Sequence, residues 1–577
     1  MTPDIADIPF LRDAGKRAID DVARSVCWYS APAGWPIFKE GEAADALYFV
    51  KSGSLGAFRS APDGRSEFVG HIRAGEPVGE MALIAGERHS ASVYALRDTE
   101  LLMLDRATFN RLIRTHPTLM QNLARTMLLR TRQTRRRNPR ADPRVYALLS
   151  TSPSIDLMLR ARLLKESLAR LGKRAVVVGE EGERQTSSWF DDLERWNDVV
   201  ILAAPIGDTA WCKLCMRQAD RIWLLARADA RPSSPLLPDD TSPARQFRLV
   251  DVVLIRHGAV RQAAAALEWI EAADAARVFS WSETADRDCA RLARTMAGLS
   301  VGLVLSGGGA RAYAHIGAVR AIREARLPID FVGGTSMGAV VAACVAMGWD
   351  DEEIERRIWK AFVESNPLAD YILPVVSLTS GRRVDDRLEE HFGQARIEDM
   401  SLPFFCVSTN LTAGAFRVHR TGVVRHALRA SIALPGILPP VVEDDSIMVD
   451  GAVLNNFPVD VMQDLHRGPN IGVDVAREHG LNAADFIDPP GFFSWVTRRG
   501  FHAPPPIAGL LIRAATVNID PWGGREKVDL LVAPDLSGVE LRDWKAYDQA
   551  VAAGYEATVS ALHNLQGPLR RMMDGFG

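Results

Sequence analysis

Val301-Gly-Leu-Val-Leu-Ser-Gly-Gly-Gly-Ala-Arg311, followed by Gly334-Thr-Ser-Met-Gly338, is the stretch on which the chain's reading turns. An apolar strand runs into a glycine loop and a helix. A second short strand, Ile329-Asp-Phe-Val332, then turns through Ser336 into the apolar helix Ala339-Val-Val-Ala-Ala-Cys-Val-Ala-Met347. Gly334 and Gly338 remove Cβ atoms where a tight strand-to-helix turn would clash. This order sets backbone N–H groups beside an exposed hydroxyl at a helix N-terminus, as acyl transfer requires. A dinucleotide fingerprint is the competing reading of Gly307-Gly308-Gly309, but Ala312 stands where its last glycine belongs and no acidic residue sits at the ribose position. The three glycines are therefore expected to form an oxyanion loop, with Ser336 as nucleophile.

The base is not expected to be histidine. His315 lies one turn into the helix after the glycine loop, where packing or loop bracing suits it better. Asp450, in Ser446-Ile-Met-Val-Asp-Gly-Ala-Val-Leu-Asn-Asn456, is carried by a strand to a turn at Gly451. An exposed aspartate is a weak base, whereas a buried one bonded to the serine has its pKa raised by desolvation. The three segments together resemble the signature motifs of the patatin-like phospholipases. That resemblance implies a Ser336–Asp450 dyad, an oxyanion hole at Gly307 to Gly309, and neither metal nor cofactor. Ala312, where the family has glycine, departs from the pattern at the start of the helix.

Further segments resemble the neuropathy target esterase branch: Gln218-Ala-Asp220 after Cys215-Met-Arg, Ser408-Thr-Asn-Leu-Thr-Ala413, Arg417-Val-His419 and Arg429-Ala-Ser431. The branch implies a phospholipid or lysophospholipid ester as substrate. Two alternatives stay open: a lipase for neutral acylglycerols, and a nucleotide-sensing protein whose hydrolase domain is a scaffold.

Upstream, Trp35-Pro-Ile-Phe-Lys-Glu-Gly-Glu42, Ala46-Leu-Tyr-Phe-Val-Lys-Ser-Gly53 and Phe68-Val-Gly-His-Ile72 alternate with turns, as in a small antiparallel barrel. Gly79-Glu-Met-Ala-Leu83 and Arg88-His-Ser-Ala-Ser-Val93 resemble the phosphate-binding cassette of a cyclic nucleotide-binding domain. The resemblance implies a ligand set of Gly79, Glu80, Arg88 and Ser90. The family's arginine position, however, is held by His89, and one residue along a strand turns a side chain to the other face. Whether a cyclic nucleotide binds is left open. A helix is expected from Arg106 to about Arg137, ending in an arginine cluster that reads first as a linker and second as a contact for anionic lipid.

Between these ends, Ala175–Gly179, Asp198–Ala203, Arg221–Ala226 and Asp251–Ile255 read as buried strands of a parallel sheet, with no phosphate-loop lysine. The expected architecture is α/β and multidomain. It comprises a cyclic nucleotide-binding-like barrel with helices (16–135), an α/β linker domain (144–290) and a patatin-like hydrolase domain (298–577, core about 301–465).

The 577 residues carry a formal net charge of −3, which gives no global attraction to nucleic acid. The six cysteines are scattered, and Cys212-x-x-Cys215 has no second ligand pair, so no metal site is expected. No basic flank and apolar core mark a secretory signal, and no apolar run approaches the roughly 20 residues that span a bilayer. A cytoplasmic protein is the expectation, and the aromatic and proline-rich segments 489–495 and 504–512 suit either a peripheral membrane surface or a lid packed on its own core.

Overall fold

The structure, a computed structural model, describes residues 5, 8–60, 66–134, 143–233, 236–237, 249–256, 266–282, 286–373, 375–476 and 524–574. The segments 489–495 and 504–512 and the end of the arginine cluster lie outside the described residues. The chain divides into two compact units, one of residues 1–264 and 268–296, the other of 265–267 and 297–577.

The first unit begins with eight short strands in two antiparallel sheets. One has the order Cys27–Ala31, Thr99–Asp105, Ala46–Ser52, Pro77–Val78, and the other Pro36–Phe38, Ser92–Ala95, Ser54–Ser60, Ser66–Arg73. Alternation along the strands buries Val50, Leu55, Val93 and Leu101 in one shared core, so the expected barrel is a two-sheet sandwich. The helical segment expected from Arg106 is two helices, Arg106–Thr115 and Pro117–Thr134. Pro117 has no N–H to continue the first helix but fits the first turn of the next.

A six-stranded, all-parallel sheet follows, in the order Ala175–Val178, Val199–Pro205, Val145–Ser150, Arg221–Arg227, Leu249–Arg256, Arg277–Ser282. The four strands expected from apolar runs form. The sequence reading missed Val145–Ser150, at the centre of the sheet, and Arg277–Ser282, at its edge. Arg97, buried, ties sandwich to sheet within this unit. It donates to both oxygens of Glu194 at 2.7 Å and lies 3.4 Å from Asp220.

The second unit is built on an eight-stranded sheet, ordered Val441–Glu443, Ser446–Asp450, Phe404–Asn410, Phe331–Thr335, Gly302–Leu305, Asn470–Val473, Leu530–Val532, with Ala415–His419 added beside Phe404–Asn410. The five strands from Phe404–Asn410 to Leu530–Val532 run parallel, and each of the others pairs antiparallel with its neighbour. The helix Met337–Ala346 is apolar on every side and buried at every position, as an all-round hydrophobic helix must be. Among the described residues no helix is long and apolar enough to cross a membrane.

Candidate active site

Gly302–Leu305 and Phe331–Thr335 lie side by side and parallel, so the glycine loop and the serine turn leave the same edge of the sheet. Ser336 sits at the crossing with φ 55° and ψ −133°, a conformation that a non-glycine residue holds only where its surroundings impose it. Packing imposes it here. A Cβ on Gly338 would lie 2.3 Å from the Ser306 carbonyl oxygen, and one on Gly334 2.6 Å from that of Leu305. Two glycines thus let the turn press against the neighbouring strand. The Ser336 N–H donates to Ser431 Oγ at 3.0 Å, and Ser431 Oγ donates to the Val407 carbonyl at 2.7 Å.

Asp450 arrives from the opposite direction. Its strand pairs antiparallel with Phe404–Asn410, putting Asp450 opposite Ser408, and Gly451 turns the chain away immediately afterwards. Ser336 Oγ donates to Asp450 Oδ2 at 2.6 Å, while Oδ1 accepts the Ala452 N–H at 2.9 Å. The carboxylate is 1% exposed, and among the described residues no cation stands against it. Burial pushes its pKa up to about 7, against the lowering effect of those two hydrogen bonds.

The glycine loop divides its labour. The Gly307 N–H is committed to the Asn456 carbonyl at 3.2 Å, and Asn456 Nδ2 returns a bond to the Gly307 carbonyl. The expectation that all three glycine amides serve an oxyanion is therefore corrected at Gly307, whose amide is spent on the loop itself. Among the described residues the amides of Gly308 and Gly309 have no hydrogen-bond partner. Behind them the loop is held by the segment before the last long helix. Ala310 N–H donates to the Leu541 carbonyl at 2.8 Å, and the buried Arg311 donates through Nε to the Val539 carbonyl at 2.8 Å. Gly309, at φ +55°, would meet Leu541 with any side chain.

Histidine takes no part in the dyad. His315 is buried against the Ser306 carbonyl at 2.8 Å, and His419 against Ser408 Oγ at 2.7 Å. Desolvation pushes both down to about 4, so they brace as neutral rings. Ser431 and Asn456 are the site residues that sequence reasoning missed. Each lay inside a segment already singled out, but only the fold shows that Ser431 receives the serine's own amide.

In the sandwich, Gly79 (φ +85°) caps the short helix Glu80–Ala85, and Glu80 is buried. His89 is buried too, its ring stacked on Phe38 at 3.6 Å between centroids. Arg88 faces solvent and donates to the Gly41 carbonyl at 2.7 Å, and Ser90 is exposed. His89 thus faces inward, while Arg88 faces solvent at an isolated bridge to Ala43, outside any strand.

Three family models match separate stretches of the chain. The model of the patatin-like phospholipases matches residues 303–462, that of the cyclic nucleotide-binding domain 29–116, and that of the neuropathy target esterase (NTE) family P-loop-like domain 159–273. An uncharacterized NTE family protein of Mycobacterium tuberculosis is 31% identical, over 97% of this chain and 96% of its own length. This chain belongs to the NTE family. Its likeness to the human patatin-like phospholipase domain-containing protein 6 is 27% over 80% of this chain, but it spans only 38% of that longer relative. The Drosophila melanogaster neuropathy target esterase sws is likewise 27% identical over 80% of this chain and 37% of its own. Among solved structures, the Thermus thermophilus catabolite activator protein aligns with 28% of this chain and 67% of its own at 29% identity, with a TM-score of 0.21. This chain thus matches both the patatin-like phospholipase and the cyclic nucleotide-binding models.

Proposed function

We propose that the protein hydrolyses carboxylic esters of phospholipids, lysophospholipids foremost, through an acyl-serine intermediate. The observation that carries this reading is the 2.6 Å bond from Ser336 Oγ, on a strained turn, to a buried carboxylate. Asp450 takes the hydroxyl proton as Ser336 Oγ attacks the ester carbonyl. The Gly308 and Gly309 amides receive the oxyanion, where one donor is typically worth about 2.7–4 kcal/mol. Collapse returns the proton to the departing alcohol. Asp450 then deprotonates water, which releases the fatty acid and restores Ser336. A carboxylate poised near neutrality suits both directions of proton transfer.

Fluorophosphonate labelling tests the assignment: wild type is expected to label and Ser336→Ala to stay unlabelled. An unlabelled wild type, or a labelled variant, would falsify it. Lysophospholipid, diacyl phospholipid and triacylglycerol assayed side by side give the substrate order, with lysophospholipid fastest.

The N-terminal domain is proposed to regulate without holding a cyclic phosphate tightly, because the arginine of its cassette is displaced and a neutral ring on Phe38 fills the inner position. Calorimetry with cyclic AMP and cyclic GMP is expected to show no micromolar binding, and a micromolar affinity overturns this.

A further inference from the structure

We infer that the loop Tyr371-Ile-Leu-Pro-Val-Val-Ser-Leu-Thr379 is the element that enters the surface of an aggregated phospholipid and delivers the ester to Ser336. The inference rests on the phospholipid reading above and assigns that site its entrance.

From Tyr371 to Gly381 the chain has no charged residue. A strand-like bridge between Tyr371 and Thr379 closes the loop, and Ile372 N–H donates to the Leu378 carbonyl at 3.0 Å. Beyond that closure Leu373 is 81% exposed, Val375 88% and Val376 65%. Among the described residues these three aliphatic side chains bury little against the rest of the fold, and exposed apolar surface of this kind marks a docking site.

The base of the loop is fastened to both flanks of the dyad. On one side, Leu378 and Thr379 donate their N–H groups to the carbonyls of Gly436 and Ile437. That segment begins at Ser431, which holds the Ser336 amide, and its Ala433 carbonyl accepts the Asp450 N–H. On the other side, Arg542 donates to the Tyr371 hydroxyl at 2.7 Å, next to Leu541, whose carbonyl holds the glycine loop. The stems of the loop are therefore fastened to the segments that hold both flanks of the dyad.

A second group of exposed apolar residues lies on the strands beside Asp450. Val442 and Ile447, paired across their strands, are exposed, as is Leu411, which donates its N–H to the Ile447 carbonyl. These residues lie past the C-terminal end of Phe404–Asn410, on the sheet edge that Ser336 also leaves. The tip offers none of the Trp, Tyr or Arg anchors that dominate protein–protein hot spots. Bare aliphatic groups beside an ester-cleaving dyad fit an acyl phase, where each buried methylene adds about 0.8 kcal/mol.

The test uses the full chain with the double substitution Leu373→Ser and Val375→Ser, both at exposed positions. Co-sedimentation with phosphatidylcholine vesicles containing lysophosphatidylcholine is expected to fall by about tenfold or more, as is turnover of micellar lysophosphatidylcholine. Fluorophosphonate labelling and hydrolysis of a monomeric short-chain ester such as p-nitrophenyl butyrate should stay at wild-type levels. Wild-type sedimentation and micellar turnover in the variant overturn the inference, as does a wild type that ignores vesicles. An equal loss on the soluble ester overturns it too, by making the loop a support of the site. A changed oligomeric state on gel filtration, with vesicle binding intact, reassigns the tip to a protein contact. If wild type neither labels nor cleaves any ester, the hydrolase reading fails instead, and the sedimentation comparison still decides the role of the loop.

Discussion

Asp251 in the first unit and Asp450 in the second are both shut away from water, and their neighbours differ in kind. Asp251 stands in the parallel sheet between Arg221 at 2.7 Å and Arg277 at 2.5 Å, with the Trp223 indole N–H donating at 2.9 Å. Burial alone would raise its pKa, but the two guanidinium groups outweigh burial and hold it below the usual range. Asp450 has a serine hydroxyl and one backbone amide, and burial prevails, carrying it up to about 7. Both aspartates are desolvated by burial; the difference is whether a cation answers it. A carboxylate locked in its charged form is useless as a base, because it takes up no proton near neutrality. The one left without a cation exchanges protons in the working range.

The sharpest way to break this contrast is Asp450→Asn. Turnover of any ester should fall on the order of 10⁴-fold, since the amide cannot accept the serine proton. In the wild type, activity should rise with pH through about 7, the range in which Asp450 ionises. A flat profile across that range removes Asp450 as the base. Next in size is Asp251→Ala, which leaves Arg221 and Arg277 buried together without their carboxylate. A loss of about 3–5 kcal/mol in the unfolding of the first unit is expected by denaturant titration. Little or no loss would mean that water reaches the pair.

Stability against pH should separate the two residues by sign. Asp251, with its folded pKa depressed, contributes stability that is present above the unfolded value of 3.8 and lost as pH falls through its folded pKa. Asp450, with its folded pKa raised, favours the fold below 3.8 and loses that contribution as pH rises through about 7. Asp450→Asn should therefore melt higher than wild type above pH 7, by up to roughly 4 kcal/mol, and equal it near pH 3. Melting curves at both ends of the range check the sign, and a variant less stable at pH 8 reverses it.

This contrast also marks what could be read from residues alone. Gly307 to Gly309, Gly334-Thr-Ser-Met-Gly338 and Asp450-Gly451 were legible because tight turns and close strand crossings restrict residue choice locally. The four apolar strands of the parallel sheet were legible by composition. Val145–Ser150 was not, because its short run Val-Tyr-Ala-Leu-Leu-Ser follows a proline-rich break and resembles the start of a helix as much as a strand. Asp251 gave no sign either: its partners come from neighbouring strands at Arg221 and Arg277, and parallel register is a property of the folded sheet. Gly307's commitment to Asn456 and Ser336's to Ser431 are equally long-range, across 149 and 95 residues.

Ser431 carries the smallest effect and tests the other half of the contrast, that the turn of the proposed nucleophile is held by neutral hydrogen bonds rather than by ion pairs. Its hydroxyl accepts the amide of a residue at φ 55° and passes its own proton to Val407, so it fastens the strained turn to the adjacent strand. One neutral bond is worth about 0.5–1.5 kcal/mol net, with more lost where a buried amide is left unpaired. Ser431→Ala should thus lower kcat about tenfold while KM on a soluble ester holds. The pH midpoint near 7 should stay where it is, because Asp450's neighbours are untouched. A tenfold loss accompanied by a shifted midpoint would place Ser431 in the proton path, and no loss at all would mean that the glycine packing holds the turn unaided.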